Sequence, residues 1–499
     1  MKKSLVAVGV VAALGVVWTA GAWFTGKQME ARFADMIAQT NAQLNSTAPE
    51  AALALSYQNY QRGLFSSHLQ LVIQPAAGKE SPWLKPGQQV VFDENVDHGP
   101  FPLAQLKSFN LLPAMASVSS TLVNNEVSKP LFNAAKGKSP FSAETHVGYT
   151  AATDSRITLE PLNYEAEGEK LVFSGGTLRM QADREGKALA LSGEIKSGDF
   201  DTLNEYNQRV QLSFNNFKTD GTSEMTDFAE RIGSQKLSLD KLAIAIEGKQ
   251  MAVIEGMNLD GSSTLSSDHK AINTRLDYTL NSLKLQSQDM GSGKLSLKID
   301  KLDGEAWHQF NQQYQAQMNA LAAQPDPQVY QQQMTAAFFG SVPILLKGGP
   351  TVTVAPLSWK NAKGESTLNI ALQLNDPSGA TGASQSMGEE IDRSVKSLDS
   401  KLTIQTAMAT QLMTQVAQLE GRDAKSAGRM ATMNVESFAA MGQKFGLTKR
   451  EEDNIVSALQ YGAGKITLNG KSMTPEEAMM MFMMASQPPQ GIPPTLPPQ

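Results

Sequence analysis

The chain has 499 residues, a formal net charge of −6 and no cysteine. A mildly acidic chain gains nothing from counterion release, which argues against nucleic acid as a partner. The lack of thiols excludes disulfides, thiolate nucleophiles and cysteine-based metal centres.

Lys2 and Lys3 precede an uncharged run from Leu5 to Phe24. Twenty helical residues span about 30 Å, the thickness of a bilayer's hydrocarbon core. Trp18, Trp23 and Phe24 lie near its far end, where amphipathic rings favour the interface. Two lysines before the run against Lys27 after it predict a signal anchor: a single pass through the bacterial inner membrane, with the body in the periplasm. A cleaved signal peptide competes, because Ala20-Gly21-Ala22 is a small-x-small site. The bulky Trp18 and Trp23 beside it and the length of the run favour the anchor.

Met29, Phe33, Met36, Ile37 and Leu44 fall at helical spacings, so a membrane-proximal helix is expected over 28–45. After Pro49 the texture becomes β. One strand is read from Leu64-Phe65 through Leu69, Leu71 and Ile73, closed by Pro75, and another over Val90–Phe92. From 157 to 303 apolar and polar residues alternate, as at Leu178, Met180 and Ala182 or Leu276, Tyr278 and Leu280. Turn signals such as Asp220-Gly221 and Asp260-Gly261 separate the segments. This predicts a long antiparallel meander, twisted as sheets must be.

From Gly304 the period becomes helical. Pro325-Asp326-Pro327 divides the stretch into a helical hairpin. Strands return at 351–357, 367–374 and 398–404. A helical region then runs from Met408 to near Phe445, with interruptions expected at Gly421 and Gly428. Asn469-Gly470 is a hairpin turn. Thr474-Pro475-Glu476-Glu477 opens a helix with a capping box, and its methionine-rich run from Met479 to Met484 is expected to face a core; six consecutive helical positions cover all sides, so this helix is either deeply buried or partly exposed for a purpose. The last thirteen residues hold six prolines and form a disordered or polyproline tail.

The fold class read from this pattern is α+β: an N-terminal transmembrane helix and a long meander, with the hairpin and C-terminal helices packed on it. Its expected divisions are an anchor (1–26), a mixed region (27–156), the meander (157–303), a helix-rich region with strands (304–486) and the tail (487–499).

Three segments stand out: 57–67, containing Arg62, Gly63 and Phe65; 97–102, containing His98, Gly99 and Pro100; and 459–470, ending in Asn469 and Gly470. Together they resemble the YdgA family of bacterial envelope proteins, over almost the whole chain. The resemblance implies an inner-membrane address. It supplies no catalytic residues, because the family's function is unknown. Physically, Gly63 suits a positive φ where a polar stretch becomes a strand, and Pro100 and Pro102 suit an extended, Pro-rich loop holding His98.

Chemistry-bearing patterns are sparse. The five histidines, at 68, 98, 146, 269 and 308, show no zinc-ligand spacing. Gly21 to Lys27 mimics a phosphate-loop spacing, but Gln28 stands where Ser or Thr is required and no strand precedes it. The acidic clusters at Glu389, Glu390, Asp392 and at Glu451, Glu452, Asp453 read as solvated faces. No catalytic residue, metal site or cofactor is expected. The first functional reading is a non-enzymatic scaffold or interaction protein, with the membrane as one partner and a second copy (a homodimer) as another. The second is a carrier or chaperone for lipid or another apolar ligand, by analogy with AsmA-like grooves. A hydrolase with a site assembled from distant residues ranks third.

Overall fold

A computed structural model describes residues 22, 24–27, 34–42, 44–45 and 49–486, except 108, 167, 205, 287, 322–326, 380–383 and 385. Leu5, Trp18 and Trp23 lie outside the described residues. Among those described, no helix is long and apolar enough to cross a membrane. The expected tail also lies outside. The chain divides into two compact units, one holding residues 1–224 and 237–248, the other 225–236 and 249–499. Both combine antiparallel strands with helices, so the α+β reading holds.

Unit one starts with β1 (Leu53–Arg62), β2 (Ser66–Pro75) and β3 (Val90–His98), followed by a short helix α1 (Leu103–Lys107). Then come β4 (Ala116–Leu122), α2 (Lys129–Ala134), β5 (Phe141–Val147) and β6 (Thr153–Leu159). The hairpin β7 (Leu162–Ala166) and β8 (Glu169–Phe173) leads to β9 (Gly176–Ala182), β10 (Ala188–Leu203) and β11 (Arg209–Met225). Pairing runs β1-β2-β3-β4-β5-β6-β9-β10-β11, and β8 pairs with the second half of β10. Leu69, Val96 and Ala116 form its buried cluster, with Tyr60, Leu71, Val118 and Val147 packed around them. The backbone of Leu55 in β1 exchanges two hydrogen bonds with the side chain of Asn41, at 2.7 and 2.8 Å. A helix over 34–42 carries that side chain. The amide satisfies backbone groups that an edge strand otherwise offers to another chain.

β12 (Arg231–Ile246) is divided between the units after Lys236. Unit two continues with β13 (Lys249–Leu265), β14 (Ala271–Leu285) and β15 (Gln288–Asp303), then the helical hairpin α3 (Gly304–Leu321) and α4 (Pro327–Ser341). Pro327 opens α4, where its missing N–H costs nothing, and Phe338 packs edge-on to Phe310 and Tyr314 of α3. β16 (Thr351–Asn361), β17 (Gly364–Leu374), α5 (Met387–Ser394) and β18 (Val395–Gln405) extend the sheet. The helices α6 (Thr406–Leu419) and α7 (Ala424–Lys444) follow. The unit closes with β19 (Lys449–Glu451), β20 (Asn454–Gly462), β21 (Lys465–Leu468), β22 (Lys471–Met473) and α8 (Pro475–Ser486). Val435 and Ala439 of α7 bury against Ile455 of β20, with Ile404, Ala409 and Met413 around them.

Several readings are corrected. Gly421, at φ +91°, ends the first helix of its pair, but Gly428 lies inside α7 and breaks nothing. Gly63 is not left-handed. The positive φ falls on Asn59 (+56°), where the β1–β2 register shifts by a bulge. His98 does not lie in a loop: it is the last residue of β3. The second strand runs from Val90 to His98, well beyond Phe92. The capping box is present, with the Thr474 N–H donating to Glu477 and the Glu477 N–H to Thr474 Oγ1. The helix it opens is not core-facing along its methionines, since Met479, Met480, Phe482 and Met483 are all exposed.

Candidate functional site

The segments 57–67 and 97–102 meet. The β2–β3 register sets Ser66 opposite Asp97 and Ser67 opposite Val96, which brings the β1–β2 turn alongside the end of β3. The His98 N–H donates to the Phe65 carbonyl at 2.7 Å, and the Gly63 N–H donates to the Ser66 carbonyl at 2.7 Å. The His98 ring closes the cluster: Nε2 lies 2.8 Å from Ser67 Oγ, and Nδ1 lies 3.3 Å from the Leu64 carbonyl. A carbonyl only accepts, so Nδ1 carries the proton and Nε2 accepts from the serine hydroxyl. Tyr60 Oη lies 3.4 Å from Ser67 Oγ. The Ser67 O–H already donates to the ring, so Ser67 Oγ accepts from the Tyr60 hydroxyl.

Space, more than conformational freedom, explains the glycines. A Cβ on Gly63 would lie 3.0 Å from the Ser66 carbonyl oxygen, and one on Gly99 2.0 Å from that of Ala114. The Gly99 N–H donates to Met115 and the Ala114 N–H to Pro100, at 2.7 and 3.0 Å, so the 99–115 excursion is closed at its base. The Gly99–Pro100 peptide is cis. Asp97 Oδ2 accepts from the Ala104 N–H at 2.8 Å and fixes the start of α1. Gly26 also reaches the cluster: a Cβ there would lie 2.4 Å from the His98 ring. Ala22, Thr25 and Gly26 are buried at helical i, i+3, i+4 spacing, whereas Phe24 is 61% exposed.

The electrostatics follow from burial. Desolvation holds the His98 pKa below its ordinary value, against the opposing pull of its bond to Leu64 and the charge of Asp97. Four residues back on β3, Glu94 is buried and pushed up to about 7 by desolvation, although it accepts from Ser120 Oγ at 2.5 Å. Strand geometry separates the two side chains by about 13 Å, so they are not an acid–base pair. Ser67 and His98 have the contacts of a nucleophile and its base. They are 4% and 2% exposed, with Gly26 over the ring, so the arrangement acts as a clamp on β1–β3.

Two open features accompany the clamp in unit one. A cavity of about 650 Å³ is lined by Gln105, Leu112, His146, Asp154, Gln181 and other residues. There His146 Nδ1 meets Gln105 Nε2 at 2.9 Å. The Arg179 guanidinium pairs with both oxygens of Asp154, at 2.9 and 2.5 Å, and holds that carboxyl below the usual range. The second feature is a sheet face. Register aligns Ile157, Leu178 and Gly193 across β6, β9 and β10; Leu159, Gly176, Ile195 and Phe217 form the next row, and Met180 faces Leu191. A Cβ on Gly193 would meet Leu178, and one on Gly176 would meet Ile195, so these side chains lie over glycines and flatten the face. Met180 and Leu191 are 44% and 42% exposed, and Ile157, Leu159, Leu178, Ile195 and Phe217 are half-buried.

Asn469 and Gly470 belong to unit two and form the β21–β22 turn, both left-handed at φ +54° and +84°. The Asn469 side chain accepts from the Ala458 N–H and donates to the Gly446 carbonyl, each at 2.9 Å. Asp392, from one of the acidic clusters, accepts from Tyr461 Oη at 2.6 Å and from the Gly464 N–H at 3.1 Å, and it adds to the burial that raises the Tyr461 pKa. Among the described residues no three His, Asp or Glu side chains are grouped to hold a metal ion.

The chain matches, over residues 1–476, a family described as "Bacterial protein of unknown function (DUF945)". Escherichia coli Protein YdgA is 58% identical over 488 residues, 97% of each chain. The chain belongs to the YdgA family. A second E. coli relative in this comparison, "Uncharacterized protein YihF", is 30% identical over 95% of this chain and 97% of its own. An uncharacterized protein of Haemophilus influenzae is 29% identical over 185 residues, 37% of this chain and 49% of its own. No solved structure matches.

For this YdgA-family chain, sequence reasoning picked out the clamp's backbone residues but not Ser67, Gly26 or Glu94 as parts of one assembly. A signal for Glu94 was present. Phe92, Glu94, Val96 and His98 share one phase of a strand, and a carboxylate in phase with apolar residues marks a buried acid.

Proposed function

We propose that this protein is anchored in the bacterial inner membrane by its run from Leu5 to Phe24, with its body in the periplasm, and that it works by binding rather than catalysis. The anchor reading rests on the length of the run and the lysines before it. The binding reading rests on one observation: the flattened apolar face centred on Leu178, Met180, Leu191 and Ile195 stays half-exposed. A contiguous apolar surface left open to water is costly unless something covers it. A protein partner, including a second copy of the chain, is the first occupant. The apolar rows also favour a second reading, a carrier for lipid or another apolar ligand, because aliphatic side chains lying over glycines offer a smooth surface with few polar groups to desolvate.

A photo-crosslinking amino acid at Met180 in living cells tests the binding reading. Adducts to a protein, or to a second copy, support the scaffold reading, and a lipid adduct turns the account to the carrier. No adduct above that at exposed Lys218 contradicts both. A phosphatase that is active only outside the cytoplasm, fused after residue 486, tests the address: an inactive fusion overturns the periplasmic placement.

A further inference from the structure

We propose that the end of unit one carrying the His98 clamp lies against the bilayer and inserts the loop tip Phe109, Leu111 and Leu112 into the outer face of the membrane. This rests on the anchor reading above, and goes beyond it by assigning a second membrane contact and an orientation.

The first observation is exposure. Phe109 is 92% exposed, Leu111 70% and Leu112 72%, three large apolar side chains within four residues. The loop has internal support: the Phe109 N–H donates to Leu106, the Asn110 N–H to Gln105, and the Leu112 N–H to Asn110 Oδ1, at 3.1, 2.9 and 3.1 Å. Phe109 is held at φ +58°, a conformation that bulky residues rarely adopt. The backbone therefore fixes the turn and presents apolar side chains to solvent, which a loop tip otherwise avoids.

The second observation is what else shares this end. The register places Ala116 opposite both His98 and Val147. The β1–β2 turn, the 99–115 excursion and the 148–152 turn therefore emerge from the same edge of the strands. Leu64 and Tyr149, in two of those connections, are 44% and 58% exposed. Lys107, exposed at the end of α1, adds positive charge suited to phosphate headgroups.

The third observation selects the occupant. The opposite end also has exposed aromatic residues, Trp83 and Tyr206. At the clamp end Gly26 sits on the His98 ring, two residues after the apolar run closes at Phe24. A run long enough to cross the hydrocarbon, closing two residues before Gly26, brings this end of the sheet to the membrane surface, within reach of the headgroup and acyl boundary. Apolar tips with a basic neighbour match that boundary.

The absence of cysteine makes a single-site test direct. The full chain is reconstituted into phosphatidylethanolamine–phosphatidylglycerol vesicles with an environment-sensitive fluorophore on Leu111→Cys, on Tyr206→Cys, or on Val11→Cys within the run. Lipid-borne nitroxide and aqueous iodide serve as quenchers. The expected result is blue-shifted emission at 11 and 111, with several-fold stronger quenching by nitroxide than at 206, which iodide reaches. Lipid contact at 11 with iodide quenching at 111 overturns the proposal and leaves the anchor standing. Shielding of 111 from both quenchers also overturns it, because protein then covers the loop. No lipid contact at 11 removes the anchor reading and this proposal together. Leu112→Cys repeats the measurement if Leu111→Cys folds poorly.

Discussion

The two units use the same strand pattern and finish it differently. In unit two, α6 packs on β15 to β18, and Val435 and Ala439 of α7 bury against Ile455, with Ile404 of β18 and Ala409 and Met413 of α6 around them. In unit one, Leu69, Val96 and Ala116 form a buried cluster and Val72, Val91, Leu122 and Phe132 are buried as well, while the rows across β6, β9 and β10 stay half-open. Alternation of apolar and polar residues therefore fixes which side of a strand is apolar, but not whether that side is covered.

The comparison can be broken or sharpened by substitution. The largest effect is expected at Gly99→Ala, whose Cβ would lie 2.0 Å from a backbone oxygen that cannot rotate away. A loss of about 3 kcal/mol or more is expected, read as a lower urea midpoint and faster amide exchange in β2–β4. A silent Gly99→Ala would mean that the clamp carries no strain-sensitive load. Asn469→Ala removes two side-chain hydrogen bonds and leaves alanine at φ +54°. It should cost about 2 kcal/mol, with exchange rising in β20–β22 and unit one unchanged.

Glu94 gives a pH test. Its folded-state pKa, raised from 4.5 to about 7, means that its stabilising share is full below pH 4.5 and lost as pH rises through 7. The protein should lose about 1 kcal/mol from this group between pH 6 and pH 8, and Glu94→Gln should flatten that slope. His98 works in the opposite sense. Its lowered pKa leaves its share intact above 6.5 and removes it as pH falls below that value. A pH 6–8 slope unchanged in Glu94→Gln would contradict the buried-acid assignment. The smallest effect is expected at Gly428→Ala within α7, where an added Cβ meets nothing within 4 Å. A gain of roughly 0.5–1 kcal/mol is expected, and a loss would show that α7 lies closer to a neighbour than described.

Much of the secondary structure was legible. The change from period two to period 3.6 at Gly304, the Asn469-Gly470 turn and the Thr474–Glu477 box each rest on chemistry within a few residues. What was not legible depends on distant residues. Gly428 looks like a breaker and is an ordinary helical residue, because a single glycine costs too little to end a helix of 21 residues. Gly63 and Gly99 were recognisable as special positions, but the reason, a carbonyl in the way of a Cβ, exists only once β2, β3 and the 99–115 excursion are assembled. Met479, Met480 and Met483 of α8 satisfy the pattern of a buried helix and lie exposed, since periodicity cannot report whether a partner surface is present.

Hydroxyl-radical footprinting of the methionines reads the open face most directly. Met290 and Met408 are buried at 4% and 3% exposure, against 44% for Met180, and calibrate the dose within the same chain. In protein reconstituted alone into nanodiscs, Met180 should oxidise far faster than Met290 and Met408. In native envelope vesicles it should be protected severalfold by whatever occupies the face. Equal oxidation of Met180 in the two preparations would contradict the claim that this surface is used for binding.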